Sequence, residues 1–309
     1  MYIDEFLPEG SLINSEKNKC ATATKDALKT ALMKQTIIEG TAILCDSDHN
    51  LTVDFGVERG IIPHSEAALG IDDGKTREIA IISRVGKPVS CLVTDIDDDG
   101  NITLSRKKAQ EMALSHFFET MRPGDVIPAT VTHLEPFGAF CDIGCGNISL
   151  LGIESLSISR ISHPNDRFAE GDNIFAVISR LDRDSKRVFL SHRELLGTWE
   201  ENVEKFEIGQ TVRGIVRGIE EYGIFVELAP NLSGLAEFRD DVDIGDSISV
   251  FIKNIIPEKM KIKLVIIDKL ESTLINRIKP SDYFISSGHI SEWRYSPPYS
   301  DRVKGESIF

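Results

Sequence analysis

A chain of 309 residues, 41% of them hydrophobic and 27% charged, has the composition of a soluble protein of two or three domains, and no apolar run approaches a membrane span. Its formal net charge of −14 excludes a protein that holds nucleic acid by bulk positive charge, because phosphate neutralisation needs clustered lysine and arginine. Five cysteines (Cys20, Cys45, Cys91, Cys141, Cys145) are too few for a disulfide framework, and the acidic start shows no secretory signal, so a cytoplasmic location is expected.

Residues 1–20 carry no clear periodicity and are expected to fray. "TATKDALKTALMKQT" (22–36) reads as a helix capped by Thr24 or Thr22. Residues 37–106 then show short alternating runs, "LTVDFGVERGIIPHSE" (51–66) and "RVGKPVSCLVTDIDDDGNITLS" (84–105), broken by Gly, Pro and Asp. They hold 6 basic and 13 acidic side chains, a net of −7. "RKKAQEMALSHFFETM" (106–121) reads as an amphipathic helical connector.

The next stretch, 122–194, repeats the pattern with "FGAFCDIG" (137–144) and "AEGDNIFAVISRLDRDSKRVFLS" (169–191), and is nearly neutral, with 8 basic and 10 acidic residues. A second helical connector, "HRELLGTWEENVEKF" (192–206), leads to a third copy over 207–268. There "YGIFVELA" (222–229) echoes "FGAFCDIG" at an offset of 85, and "DIGDSISVFIKNIIPEKMKIKLV" (243–265) echoes the second half; 7 basic and 11 acidic residues give −4. One unit written three times, each with about five short strands, predicts three small closed barrels. The expected order is a tail and helix (1–36), first repeat (37–106), linker (107–121), second repeat (122–194), linker (195–206), third repeat (207–268) and an aromatic-rich extension (269–309).

Phe137 and Phe140 flank a Gly-Ala pair at the start of a hairpin. They are either core or a surface waiting for something flat. In the extension, Tyr283, Phe284, Trp293 and Tyr295 are expected to fold back on the third barrel, with a partner patch or an extra stacking surface as alternatives.

Chemistry finds no foothold. "DIDDDG" (95–100) begins like a calcium loop but places Arg106 where the bidentate carboxylate belongs, so a β-turn is expected. "GIDDGKT" (70–76) lacks the spacing of a phosphate loop, and Cys141 and Cys145 have no sequence neighbours to complete a zinc site. The seven histidines, at 49, 64, 116, 133, 163, 192 and 289, are scattered, with no metal-binding pair at helical spacing. No catalytic residue, metal or cofactor is expected; this reads as a binding protein rather than an enzyme.

The pattern G-D-x-[VI]…FGAFCDIG…HP…F-x-x-GD…D…R-[VI]-x-L-S, over residues 37–268, resembles the RNA-binding module of the bacterial ribosomal protein S-one family. The resemblance implies an all-β chain of three tandem five-stranded OB-fold barrels joined by short helical linkers. It makes Phe137 and Phe140, and Tyr222 and Phe225, outward platforms on which bases stack, a sequence-tolerant contact. The first copy places His49 and Thr52 there and has no platform. The family's strand histidine falls on Gly152, Glu237 and Pro63 in the second, third and first copies, all departures. Its Asp and Arg around the last hairpin fall on Asp182 and Arg187, and in the third copy on Pro257 and Lys261. Arg180, Arg183, Lys186 and Arg187 form the densest basic cluster near any platform, with Arg160 and His163 in the preceding loop. The function implied is binding of single-stranded RNA (mRNA) in translation on the small ribosomal subunit, by a monomer with small-subunit proteins as further partners and no membrane. The alternative is a protein–protein adaptor whose barrels have lost RNA affinity, motivated by the acidity and the missing histidines.

Overall fold

The computed structural model describes residues 6–271, 277–300 and 304–309. The chain gathers into two compact units: the described residues up to Met121 with Pro128–Thr130 and Asp142–Ser149, and Arg122–Ile127 with Val131–Cys141 and Leu150–Phe309.

In the first unit, helix α1 (Glu16–Thr22) starts at Ser15, whose hydroxyl accepts the Asn18 N–H, and α2 (Lys25–Lys34) starts at Thr24, whose hydroxyl accepts the Ala27 N–H. The cap expected at Thr24 is therefore present. The fraying expected for the N-terminal segment is not, over its described part. The side chain of Glu9 is buried, and its carboxylate meets Arg106 Nε at 2.6 Å and Arg84 Nη1 at 3.2 Å. Burial works against that charge, but Arg106 outweighs it and holds the carboxyl below its ordinary range. Glu39, also buried, accepts the Gly10 and Leu12 N–H groups. Sequence periodicity misses such a segment because polar anchors, not an apolar stripe, fix it.

Strands β1 (Ile38–Cys45), β2 (Leu51–Asp54), β3 (Arg59–Ile62), β4 (Pro88–Ile96) and β5 (Ile102–Ser105) close the first barrel in the order β1-β2-β3-β5-β4. Their inward residues, among them Ile38, Leu51, Val53, Ile62 and Leu104, fill it completely. A short helix, α3 (Ile79–Ile82), lies in the connection between β3 and β4. Asp97 carboxylate oxygens accept the Asn101 N–H and side-chain amide, and Gly100 takes φ +87, so "DIDDDG" is the expected turn. Helix α4 (Arg106–Thr120) is present as expected and buries Ala109, Ala113 and Phe117 at i, i+4, i+8. Arg106 and Gln110 are buried beside them, so it is not the clean amphipathic helix expected.

The second barrel is built from β6 (Val126–Glu135), β7 (Gly138–Asp142), β8 (Ile148–Gly152), β9 (Asn173–Asp182) and β10 (Arg187–Ser191). The third uses β11 (Thr211–Glu220), β12 (Gly223–Ala229), β13 (Leu232–Ala236), β14 (Ser247–Ile256) and β15 (Lys261–Lys269). Both repeat the topology of the first, with third and fifth strands paired in parallel to close the cylinder. The chain is mostly β, with three closed five-stranded barrels, as expected of tandem OB folds.

Within the second unit a buried ion-pair chain fastens the loop 157–167 to the third barrel. Arg167 and Glu227, both fully buried, make two hydrogen bonds of 3.0 and 2.9 Å, and Arg217 adds contacts to Glu227 at 2.7 Å and Asp166 at 3.0 Å. The linker helix α5 (Trp199–Val203) begins with a capping box from Thr198 and Glu201. The extension folds back through a ribbon of β16 (Glu292–Arg294) and β17 (Glu306–Ile308). Trp293 and Tyr295 are buried there in an apolar cluster that joins Val226 and Val250 of the third barrel with Val126 and Val177 of the second, so the extension packs on more than the third barrel expected. Tyr283 goes elsewhere: it packs on Phe175 and His192 of the second barrel, because its hydroxyl finds the His192 Nε2 at 3.0 Å. Among the described residues no helix is long and apolar enough to cross a membrane.

Candidate nucleic-acid interface

The platform begins with a glycine. A Cβ on Gly138 or Gly223 would run into the carbonyl oxygen of Leu151 or Ala236 on the neighbouring strand, so only glycine lets the hairpin close there. The aromatic just before each glycine is thereby thrown outward, and the one two positions after it stands on the outer face. Phe137 is 55% exposed and Tyr222 68%, which rules out core for both. Phe137 meets Phe140 edge-on, centroids 6.0 Å apart at 89°; Tyr222 meets Phe225 at 6.1 Å and 89°. Two independent stretches of sequence thus build the same right-angled pair.

The strand registers extend each platform into a row around the barrel. In the third barrel Gly218 pairs with Phe225, Phe225 with Leu235, Leu235 with Lys263 and Lys263 with Asn254. In the second barrel Leu150 pairs with Phe189 and Phe189 with Arg180, while His133 stacks on Phe140 at 6.5 Å and 21°. The corresponding row in the first barrel is Leu44, Thr52, Ile61, Thr103 and Asp95. None of these fifteen residues is buried. The second row is cationic and aromatic, the third aromatic with one lysine, and the first apolar and acidic.

His133 and Phe189 belong to the second row and Lys263 to the third; reading the motif alone misses them, although the 85-residue offset and the two-residue strand period would have found them. The carboxylates of Glu170, at 2.8 Å, and Glu135, at 3.0 Å, hold the His133 imidazole above its ordinary pKa. A cationic ring therefore persists on Phe140 to higher pH than for a free histidine. Arg180 lies over the Phe189 ring at 4.1 Å, a cation–π contact that keeps its guanidinium on the row.

The remaining residues singled out in the sequence divide. Asp182 caps the hairpin turn, its Oδ1 accepting the Asp184 and Ser185 N–H groups; those Ser185 bonds lead in lowering its pKa. Lys186 occupies the left-handed position of that turn, at φ +51, and Arg187 pairs across the strand end with Asp182. Lys261 sits at the matching strand end of the third barrel, opposite Ile256, two residues from the row. His163 caps the 3-10 turn Pro164–Asp166 by accepting the Asn165 N–H at its Nδ1. Arg160 stands beside the third platform: it lines, with Arg217, Gly218, Phe225 and Lys304, a cavity of about 350 Å³.

The family match falls on the second barrel: residues 120–193 match the family described as "S1 RNA binding domain". Curated proteins similar to this chain include bacterial small ribosomal subunit proteins. It is 34% identical over 191 residues to the small ribosomal subunit protein bS1 homolog of Bacillus subtilis (strain 168), covering 60% of this chain and 48% of that one. To small ribosomal subunit protein bS1 of Leuconostoc lactis it is 29% identical over 232 residues, 69% of this chain and 52% of that one. To bS1 of Chlamydia muridarum it is 30% identical over 195 residues, 59% of this chain and 34% of that one. The match therefore spans about half, or less, of the length of these relatives.

Proposed function

We propose that this chain binds single-stranded RNA along the rows of its second and third barrels, as a binding protein and not an enzyme. The observation that carries the reading is the duplicated right-angled aromatic pair, on the outer face of both barrels, with Arg180 on the second row and Lys263 on the third. Stacking supplies sequence-tolerant affinity and a few cations anchor phosphates, so binding does not require a positive net charge. With bacterial bS1 proteins as relatives, the RNA is read as mRNA, the setting as translation on the small ribosomal subunit in a bacterial cytoplasm, and the active form as a monomer.

The second barrel, nearest neutrality, is expected to bind best and the third more weakly. Exposed Leu44 and Ile61 beside Asp95 favour the adaptor reading for the first barrel alone. Titrating the purified chain with labelled poly-pyrimidine and A-rich RNA at two salt concentrations tests the proposal. Saturable binding that weakens with salt is expected; none at low salt would overturn it. Co-sedimentation with small ribosomal subunits, with and without nuclease, separates an RNA-mediated association from one made by the first barrel.

A further inference from the structure

The histidines scattered through the sequence do not stay scattered in the fold. On the first barrel His49 Nδ1 lies 2.9 Å from Glu78 Oε2, and His64 Nε2 lies 2.9 Å from the same oxygen and 3.0 Å from Oε1. The three ligand atoms all fall within 4.8 Å of one another. We propose that His49, His64 and Glu78 form a site for a divalent transition metal, with zinc the best fit.

The donor set carries the choice of metal. Two imidazole nitrogens and one carboxylate oxygen suit zinc and its neighbours, whereas magnesium and calcium demand an all-oxygen shell. Bonds of about 2.0–2.1 Å in a tetrahedron put donor atoms roughly 3.3 Å apart, and both histidines already lie that close to Glu78. The separation between the two imidazole nitrogens, within 4.8 Å, closes by up to about 1.5 Å to give a three-ligand site with one position left for water. A hydrogen-bonded cluster without a metal would be the alternative. The side chains are 35–48% exposed, however, and a surface pair of that kind contributes little.

The backbone is nevertheless held in place for both rings. His49 adopts the left-handed conformation at φ +62, which is unfavourable for a residue with a side chain. Asp46 fixes that turn by accepting the Asp48 and Asn50 N–H groups, and the Asn50 side chain accepts the His64 N–H at 2.9 Å. One asparagine thus sets the spacing between two histidines 15 residues apart. Register explains the location: Thr52 stands where the third barrel has Phe225, so His49 takes the place of Tyr222. The metal would tie the β1–β2 hairpin to the β3–β4 connection on the face that the other barrels use for bases.

The test is a calorimetric titration of the full-length, untagged, chelator-treated chain with zinc chloride, with magnesium chloride as control. One saturable zinc site is expected. It should weaken by roughly 100-fold or more in His64→Ala and in Glu78→Gln, beyond the 10–100-fold typical of losing an outer partner. Both variants alter exposed side chains and should keep the circular dichroism of the parent. Cobalt substitution should give a visible d–d spectrum without a thiolate charge-transfer band. No saturable zinc binding, unchanged affinity in both variants, or a thiolate band would each overturn the proposal. None of these readouts depends on whether the chain binds RNA.

Discussion

The first and second barrels share a topology, yet differ in chemistry at four of five equivalent points, Leu150 and Ile61 being alike. Where the second has His133, Phe140, Leu150, Phe189 and Arg180, the first has Leu44, Thr52, Ile61, Thr103 and Asp95. The inward residues of both are small aliphatics, because a five-stranded cylinder must be filled. The outward row has no packing to satisfy and is free to diverge. In this chain, therefore, the shared fold does not distinguish the copies; the outward row does.

The largest expected effect concerns the buried ion-pair chain that fastens the loop 157–167 to the third barrel. In Glu227→Ala the fully buried Arg167 loses both its carboxylate bonds and Arg217 loses one. Leaving a buried charge unpaired costs roughly 3–5 kcal/mol. Both tryptophans, Trp199 and Trp293, lie buried in the second unit, so urea unfolding followed by tryptophan fluorescence reads that unit. An unchanged midpoint would show that the ion-pair chain is dispensable.

Next in size is a pH effect. His192 is fully buried, with Nδ1–H donating to the Leu156 carbonyl and Nε2 accepting from the Tyr283 hydroxyl, and burial pushes its pKa down to about 4. The unfolded chain takes up a proton near pH 6.5 that the folded one refuses, so stability is fully present above that pH and is lost as pH falls toward 4. The loss amounts to about 3 kcal/mol. Repeating the fluorescence-monitored unfolding at pH 7 and pH 4.5 checks it, and His192→Asn should flatten the difference. Stability that rises on acidification would contradict a neutral His192.

How much of this was legible beforehand follows from what repeats. The barrels could be counted because the FG and YG hairpins recur at 85 residues, each forced by a glycine that the next strand crowds. The aromatic pairs came with them. His133 and Phe189 were not legible as partners of Phe140, because only strand register joins positions 7 and 49 residues away. Arg160, read as part of the second platform, is placed by the fold beside Phe225, 65 residues on. The His49–His64–Glu78 cluster depends on an αL turn and one asparagine, which no periodicity announces.

A third prediction separates the two barrels at the equivalent position. Phe140→Ala should cost roughly 1–3 kcal/mol of RNA affinity, the value of one stacked base, while Thr52→Ala leaves affinity unchanged. A core phenylalanine would instead lose about 3–5 kcal/mol of folding free energy on truncation. Fluorescence anisotropy with a labelled oligonucleotide, paired with a melting curve, distinguishes the outcomes in the full chain. Equal losses from both substitutions would erase the contrast between the rows.

The smallest effect concerns where on the second barrel the phosphate is met. Arg180 and Arg187 are seven residues apart on one hairpin, but Arg180 lies over Phe189 on the row, whereas Arg187 stands at the strand end opposite Asp182. An arginine that neutralises one phosphate contributes about one unit to the slope of log affinity against log salt. Arg180→Ala should therefore weaken binding and flatten that slope by about one, while Arg187→Ala, with its charge set beside an aspartate, should change it by less. Asp182→Asn adds a control: if Asp182 serves the turn, affinity falls little, and if it screens Arg187, removing its charge steepens the slope. Titrations at four salt concentrations between low and physiological ionic strength resolve a change of this size. A larger effect at Arg187 than at Arg180 would move the phosphate path off the row and onto the hairpin tip.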